Sequence, residues 1–182
     1  IRSVDPTQRP GLLKKMADSG CKKISFGVES GSPRILELVK KGITCEQIRS
    51  AFKMAKAAGI KYVEGTFILG SHIDEKIEDI EMTKKLILEL MPDFAMLSVM
   101  CPFPGTEIYD DMRREDLLPV KPDWERFSFF IEGVKYERLR HLTHAELNKI
   151  QKDFIREYFV SPKYIWSQVK KFRSFADFGY FA

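Results

Sequence analysis

At 182 residues with 44% hydrophobic side chains, the chain is long enough for one domain with a real core, and its 31% charged residues are ordinary for a soluble globular protein. The formal charge of +4, from 30 basic and 26 acidic side chains, is too small an excess for a nucleic-acid binder, and no dense basic stripe exists. No apolar run approaches the roughly 18–20 residues that span a bilayer, so no membrane partner is expected.

In chain order, residues 1–4 resemble the end of a strand, and the chain opens on Ile1 rather than methionine, as a piece of a longer protein would. Residues 10–19 read as a helix closed by Gly20, and 23–28 as a buried strand. Ser32-Pro33 opens a short helix that runs to Lys41 and stops at Gly42, with cations near its negative end. Thr44-Cys45-Glu46-Gln47 is a capping box, and Ile48, Ala51, Phe52 and Ala55 give the helix behind it one apolar face. Residues 60–69 are the next strand. Residues 74–91 form a long helix lined by Ile77, Ile80, Ile87 and Leu90. A third strand covers 94–100, and a proline-rich turn leads to a helix ending near Leu117.

Strand and helix thus alternate with connections long enough for crossovers, the pattern of a parallel sheet covered by helices. A closed eight-unit barrel takes about 250 residues. The expected fold class is therefore α/β, a partial parallel (β/α) TIM-type barrel over 1–118. An aromatic-rich segment and helical extension follow over 119–182. Trp124, Phe127, Phe129 and Phe130 belong to that segment, as either a substrate wall or glue between barrel and extension. Thr143-His144-Ala145-Glu146 is a second capping box, and Ser161-Pro162 begins a last helix reaching about Phe172.

Three strand ends carry the chemistry, since α/β proteins place their sites at the carboxyl ends of strands. ISFGVESGSPRIL spans 24–36, TFILGSHIDE spans 66–75 and LSVMCPFPGTEIYD spans 97–110. The cysteines Cys21, Cys45 and Cys101 are odd in number and lack metal-ligand spacing, and with no secretory signal ahead of them a cytoplasmic location is expected. Glu29 reads two ways: a carboxylate able to accept from two adjacent hydroxyls, or a cap on the following helix.

From Ser3 to Ile165 the sequence resembles the radical S-adenosylmethionine superfamily. The likeness is carried, in order, by GCKKISFGVESGSPRIL, KKGIT, AAGIKYVEGTFILG, PFPGTEIYD and REYFVSPKYI. It is most similar to the branch whose members often carry a cobalamin-binding domain, including magnesium-protoporphyrin monomethyl ester cyclases and carbon methyltransferases. The resemblance implies S-adenosylmethionine and a 4Fe–4S cluster as cofactors, with cobalamin a further candidate through a separate domain. It implies reductive cleavage of S-adenosylmethionine, then hydrogen abstraction leading to oxidation, cyclisation or methylation of an unreactive carbon. The family's cluster loop is CxxxCxxC, which this chain lacks. By resemblance the cluster ligands lie upstream, and the chain is the second half of a catalytic barrel, inactive alone.

The same resemblance assigns cofactor contacts. Glu29 would bind the ribose hydroxyls, with Ser30 sharing that role or serving as a turn residue. Lys41 or Arg34 would face the methionine carboxylate, or else be surface cations. Phe67, Ile68 and Leu69 would offer backbone to adenine, with Ile68 on its face, or simply form a buried core strand. Cys101 and Pro102 would end the next strand beside cofactor and substrate, or else Cys101 is a small buried residue. The family's glycine–apolar–proline–glycine–acid turn is here Gly70-Ser71-His72-Ile73-Asp74, which leaves the loop geometry and His72 open. The expected partner is a small-molecule substrate, and an unpaired edge strand predicts dimerisation or edge pairing. Two rival readings are a non-redox barrel enzyme, disfavoured because no strand end carries a lysine, and a non-catalytic nucleoside-binding scaffold.

Overall fold

The computed structural model describes residues 11–119 and 136–171. The expected strand over 1–4, the aromatic cluster from Trp124 to Phe130 and the far end of the last helix at Phe172 lie outside the described residues. A three-stranded parallel sheet runs β1 (Lys23–Glu29), β2 (Tyr62–Leu69), β3 (Phe94–Val99), in sequence order. Parallel neighbours require crossovers. Here they are α2 (Pro33–Leu38) with α3 (Cys45–Ala57), then α4 (Ile77–Leu90). Helix α1 (Leu12–Asp18) precedes the sheet, and α5 (Glu107–Arg114), α6 (His144–Val160) and α7 (Pro162–Val169) follow it. This is the repeating unit of a partial (β/α) barrel.

The alternation along each strand sorts the two sheet faces. Ile24, Phe26 and Val28 of β1, Val63, Phe67 and Leu69 of β2, and Ala95, Leu97 and Val99 of β3 are buried. They form one core with Ile48, Ala51, Phe52 and Ala55 of α3 and Ile80, Leu86, Ile87 and Leu90 of α4. Phe26 and Phe52 meet at 5.2 Å between ring centroids. The intervening residues face the other way. In register across the sheet they are Ser25 with Glu64, Gly27 with Thr66, then Thr66 with Met96 and Ile68 with Ser98. Polar or glycine positions dominate this open face.

Both capping boxes form. The Thr44 and Thr143 backbone N–H groups donate to Gln47 Oε1 at 2.8 Å and Glu146 Oε2 at 2.7 Å, and each threonine hydroxyl accepts in return. Ser32 and Ser161 cap α2 and α7 ahead of proline. Two expectations need correction. The helix expected from Asp74 begins at Ile77, because the Asp79 carboxylate takes the Lys76 N–H at 3.0 Å and residues 70–76 are spent on a turn. Ile77 is then exposed and Thr83 occupies the buried stripe in its place. Helix α2 also stops at Leu38, three residues short, so Lys40 and Lys41 lie in a loop beyond it rather than on its last turn.

The extension packs on the sheet along β3. Gln151 donates to the Leu97 carbonyl at 2.6 Å, Tyr158 to that of Pro92 at 2.6 Å, and Tyr164 to that of Asp93 at 2.8 Å. Part of the β3 edge is therefore covered by α6, which blunts one template for strand addition. Among the described residues no helix is long and apolar enough to cross a membrane.

Candidate functional site

The carboxyl end of β1 is bent. Its pairing with β2 slips between Gly27 and Glu29, and Glu29 takes a left-handed backbone with φ 70°. That conformation costs a non-glycine residue roughly 1 kcal/mol, and strain of this kind concentrates where function requires it. The bend leaves the Glu29 carboxylate on the open face. There Oε1 accepts from Lys41 Nζ at 2.6 Å, with both side chains about a quarter exposed. The Lys41 loop is shaped for this contact by positive φ at Lys40 and Gly42. Lys41 is thus a partner of Glu29.

Gly27 keeps the pair accessible. A Cβ placed there would stand 3.2 Å from Glu29 Oε1, 3.3 Å from Lys41 Nζ and 3.8 Å from Thr66 Oγ1. A carboxylate, an ammonium and a hydroxyl therefore converge around a backbone with no side chain. Ile68 and Met96 continue the open face on either side of Thr66, as an apolar floor. Acceptor, cation, hydroxyl and flat apolar surface together suit a polar nucleoside with a charged tail. Gly27 and Thr66 were not singled out in the sequence. Their signal was periodicity, since both stand two residues from a predicted site position on the same strand face.

Ser30 and Arg34 go elsewhere. Ser30 is fully buried: its hydroxyl shares a hydrogen bond with Thr83 Oγ1 at 3.1 Å and accepts from the Ser32 N–H at 3.1 Å. Ser32 Oγ donates to Asp79 Oδ1 at 2.6 Å, and Thr83 Oγ1 accepts from the Gly31 N–H at 2.9 Å. Arg34 closes the cluster by pairing with Asp79 and donating to Asp74 Oδ2 at 2.8 Å. Burial alone would raise the Asp79 pKa, but Arg34, Ser32 and the Lys76 N–H outweigh it and hold the carboxyl below its usual range. Asp74 is held at about 2, first by its hydrogen bond to His141 and then by Arg34. These residues clasp the β1–α2 loop to α4. The side chains of Ser30 and Arg34 are engaged in that clasp.

On β2, Phe67 and Leu69 send their side chains into the core, and only Ile68 points to the open face. Their backbones run in the ladder between β1 and β3, and the Leu69 carbonyl accepts from Met100 N–H at 2.9 Å. Cys101 and Pro102 are buried at the end of β3, so the small-buried-residue reading of Cys101 fits the geometry. His72 Nδ1 accepts the Asp74 N–H at 3.1 Å, and burial lowers its pKa.

The residues that could hold S-adenosylmethionine are therefore Glu29, Lys41, Thr66 and Ile68, around the cradle at Gly27. Cys21, Cys45 and Cys101 lie on three separate segments, and among the described residues no three His, Cys, Asp or Glu side chains gather to hold a metal.

Comparison with known proteins bears on the same region. The model of the radical SAM superfamily matches residues 2–87, a stretch that holds β1, β2 and the whole of the Glu29 site. The chain belongs to the radical SAM superfamily. It is 32% identical over 164 residues to an uncharacterized methyltransferase of Pyrococcus horikoshii, covering 90% of this chain and 34% of that protein. It is 29% identical over 146 residues to the anaerobic magnesium-protoporphyrin IX monomethyl ester cyclase of Cereibacter sphaeroides, covering 80% and 22%. The radical SAM enzyme coproporphyrinogen III oxidase (HemN) of Escherichia coli shares the fold with a TM-score of 0.60 at 16% identity, over 88% of this chain and 32% of that one. The chain spans about a third or less of the length of these relatives.

Proposed function

We propose that this chain is the nucleoside-holding half of a radical SAM barrel whose parent protein is a methyltransferase or oxidative cyclase. The observation that carries the reading is the Glu29–Lys41 pair on the strained end of β1, facing Gly27 and Thr66 across an open sheet face. Glu29 accepts from the vicinal hydroxyls of the ribose, and Lys41, one bond away, turns toward the carboxylate of the methionine moiety. Thr66 adds a hydroxyl on the neighbouring strand, and Ile68 lies under the adenine. Bound S-adenosylmethionine, cleaved reductively at a 4Fe–4S cluster, supplies the one-electron chemistry of the superfamily. The cluster ligands belong to a part of the parent outside this chain, as would any cobalamin domain. The substrate is a small molecule that approaches over Met96 and Ile68. Dimerisation through the remaining sheet edge is a further part of the proposal.

The test uses the full-length protein, with iron and sulfide reconstituted anaerobically, and quantifies 5′-deoxyadenosine after addition of S-adenosylmethionine and a strong reductant. Production that falls at least tenfold in Glu29→Ala supports the reading, by the loss of hydrogen bonds to a charged acceptor worth about 1.5–3 kcal/mol. Production unchanged in the variant removes Glu29 from the site. None at all from cluster-loaded protein would favour a nucleoside-binding scaffold.

A further inference from the structure

Residues 70–75 turn the chain from β2 toward α4, and Glu75 is fully buried beneath that turn. Its Oε2 accepts from the Ser71 backbone N–H at 2.8 Å and from Ser71 Oγ at 3.4 Å. Its other oxygen, Oε1, is buried with no hydrogen-bond partner, and so is the Tyr136 hydroxyl. Both belong to the surroundings of Gly70. A Cβ added at Gly70 would stand 3.2 Å from Tyr136 Oη, 3.1 Å from Leu139 and 2.9 Å from Leu147, so the 136–147 segment lies directly on the turn. The Arg140 N–H donates to the Ile73 carbonyl at 3.1 Å and fastens that segment to the same loop.

The charges around Glu75 do not favour its ionised form. Asp79, in the first turn of the helix that follows, is of like sign, and Tyr136 from the facing segment brings an acidic hydroxyl, not a cation. His144 of α6 packs edge-on against the Tyr136 ring at 4.7 Å. The cations of this end are otherwise engaged. Arg34 pairs with Asp74 and Asp79, Arg140 with Glu115 and Asp74, and His141 with Asp74, while the half-buried His72 is biased toward its neutral form.

We propose that Glu75 is a positioning residue for the nucleoside site: as a neutral carboxylic acid it fixes the Gly70–Ser71 turn at the end of β2 and keeps the 136–147 segment closed over it. The inference rests on the nucleoside reading of the β2 end. A protonated carboxyl still has an oxygen to accept from Ser71 and gains an O–H to donate among its buried neighbours. An ionised one would leave a buried charge whose Oε1 has no hydrogen-bond donor, relieved only by letting water in. Burial, with Asp79 adding to it, pushes the pKa from 4.5 up to about 7. Because the folded value lies above the unfolded one, the contribution is complete below pH 4.5 and is lost as pH rises through about 7.

The experiment measures amide hydrogen exchange at Gly70 and Ser71, corrected for intrinsic rates, and calorimetric affinity for S-adenosylmethionine. It compares the full-length protein with Glu75→Gln and Glu75→Ala at pH 6 and pH 8. In the unaltered protein, protection and affinity should each fall roughly tenfold between the two pH values, as one proton lost through a pKa near the middle of the range dictates. Glu75→Gln, neutral at both, should keep the pH 6 values throughout, and Glu75→Ala should lose protection at both. If Glu75→Ala does not fold, the glutamine variant carries the test alone. A glutamine variant that keeps the full pH dependence overturns the proposal. Exchange that follows the expected pattern, with no S-adenosylmethionine bound at either pH, overturns the nucleoside reading and the positioning role with it.

Discussion

Glu29 and Ser30 are neighbours in the chain and serve opposite halves of the molecule. Glu29 turns to the open face of the sheet, in a left-handed conformation, with one flexible cation as its partner. Ser30 turns inward to a buried network in which Thr83, Ser32, Asp79 and Arg34 satisfy one another. The same contrast separates the two glycines that flank them. An added Cβ at Gly27 would meet only the ends of movable side chains, whereas at Gly31 it would stand 2.6 Å from the Met82 carbonyl and 2.7 Å from Thr83 Cα. One side of β1 is built to be approached. The other is built to be rigid, and the lesson is that rigidity behind the strand is what holds a strained residue in front of it.

That contrast can be broken most severely at Gly31. Gly31→Ala has no room to relax against backbone, so it should destabilise the protein by about 3 kcal/mol, read as a denaturant midpoint shift at unchanged slope. Asp79→Ala should come next, at about 2–3 kcal/mol, since it strands the Ser32 hydroxyl, the Lys76 N–H and one arm of Arg34. The acid limb of a stability profile sharpens the same point. Asp74 and Asp79 are held below the usual carboxylate range, so the clasp contributes fully above about pH 4 and weakens as pH falls toward the Asp74 value of about 2. Glu75 behaves with the opposite sign, losing its contribution as pH rises. Gly27→Ala should be the mildest for the fold, within about 0.5 kcal/mol. It should nonetheless weaken S-adenosylmethionine binding severalfold by crowding Glu29 and Lys41. Equal stability losses at Gly27 and Gly31 would erase the distinction between the two faces.

How much of this could be read without coordinates varied with the range of the interaction. Both capping boxes, the α3 stripe and the three strands are local patterns, and each formed where periodicity and end signals placed it. The start of α4 was misplaced by three residues because the deciding contact, Asp79 to the Lys76 N–H, competes with apolar periodicity that extends further back. Among the site residues, Glu29 was legible as an acid at a strand end, whereas Ile68 was assigned through the family resemblance alone. Ser30 and Arg34 looked equally suitable, being polar and adjacent. Nothing near them in sequence shows that Thr83 and Asp79, about fifty residues later, are waiting for them.

The sequence by itself determined the α/β alternation, the capped helices, the superfamily and the strand end that carries the acid, because each depends on residues within a few positions of one another. Only the tertiary structure decided that Lys41 answers Glu29 and that Gly27 and Thr66 complete the cradle. It also decided that Glu75 is sealed under the Gly70 turn by Tyr136. Those outcomes depend on crossovers that bring distant segments into contact. There burial and the need to satisfy every polar group choose among side chains that look alike along the chain.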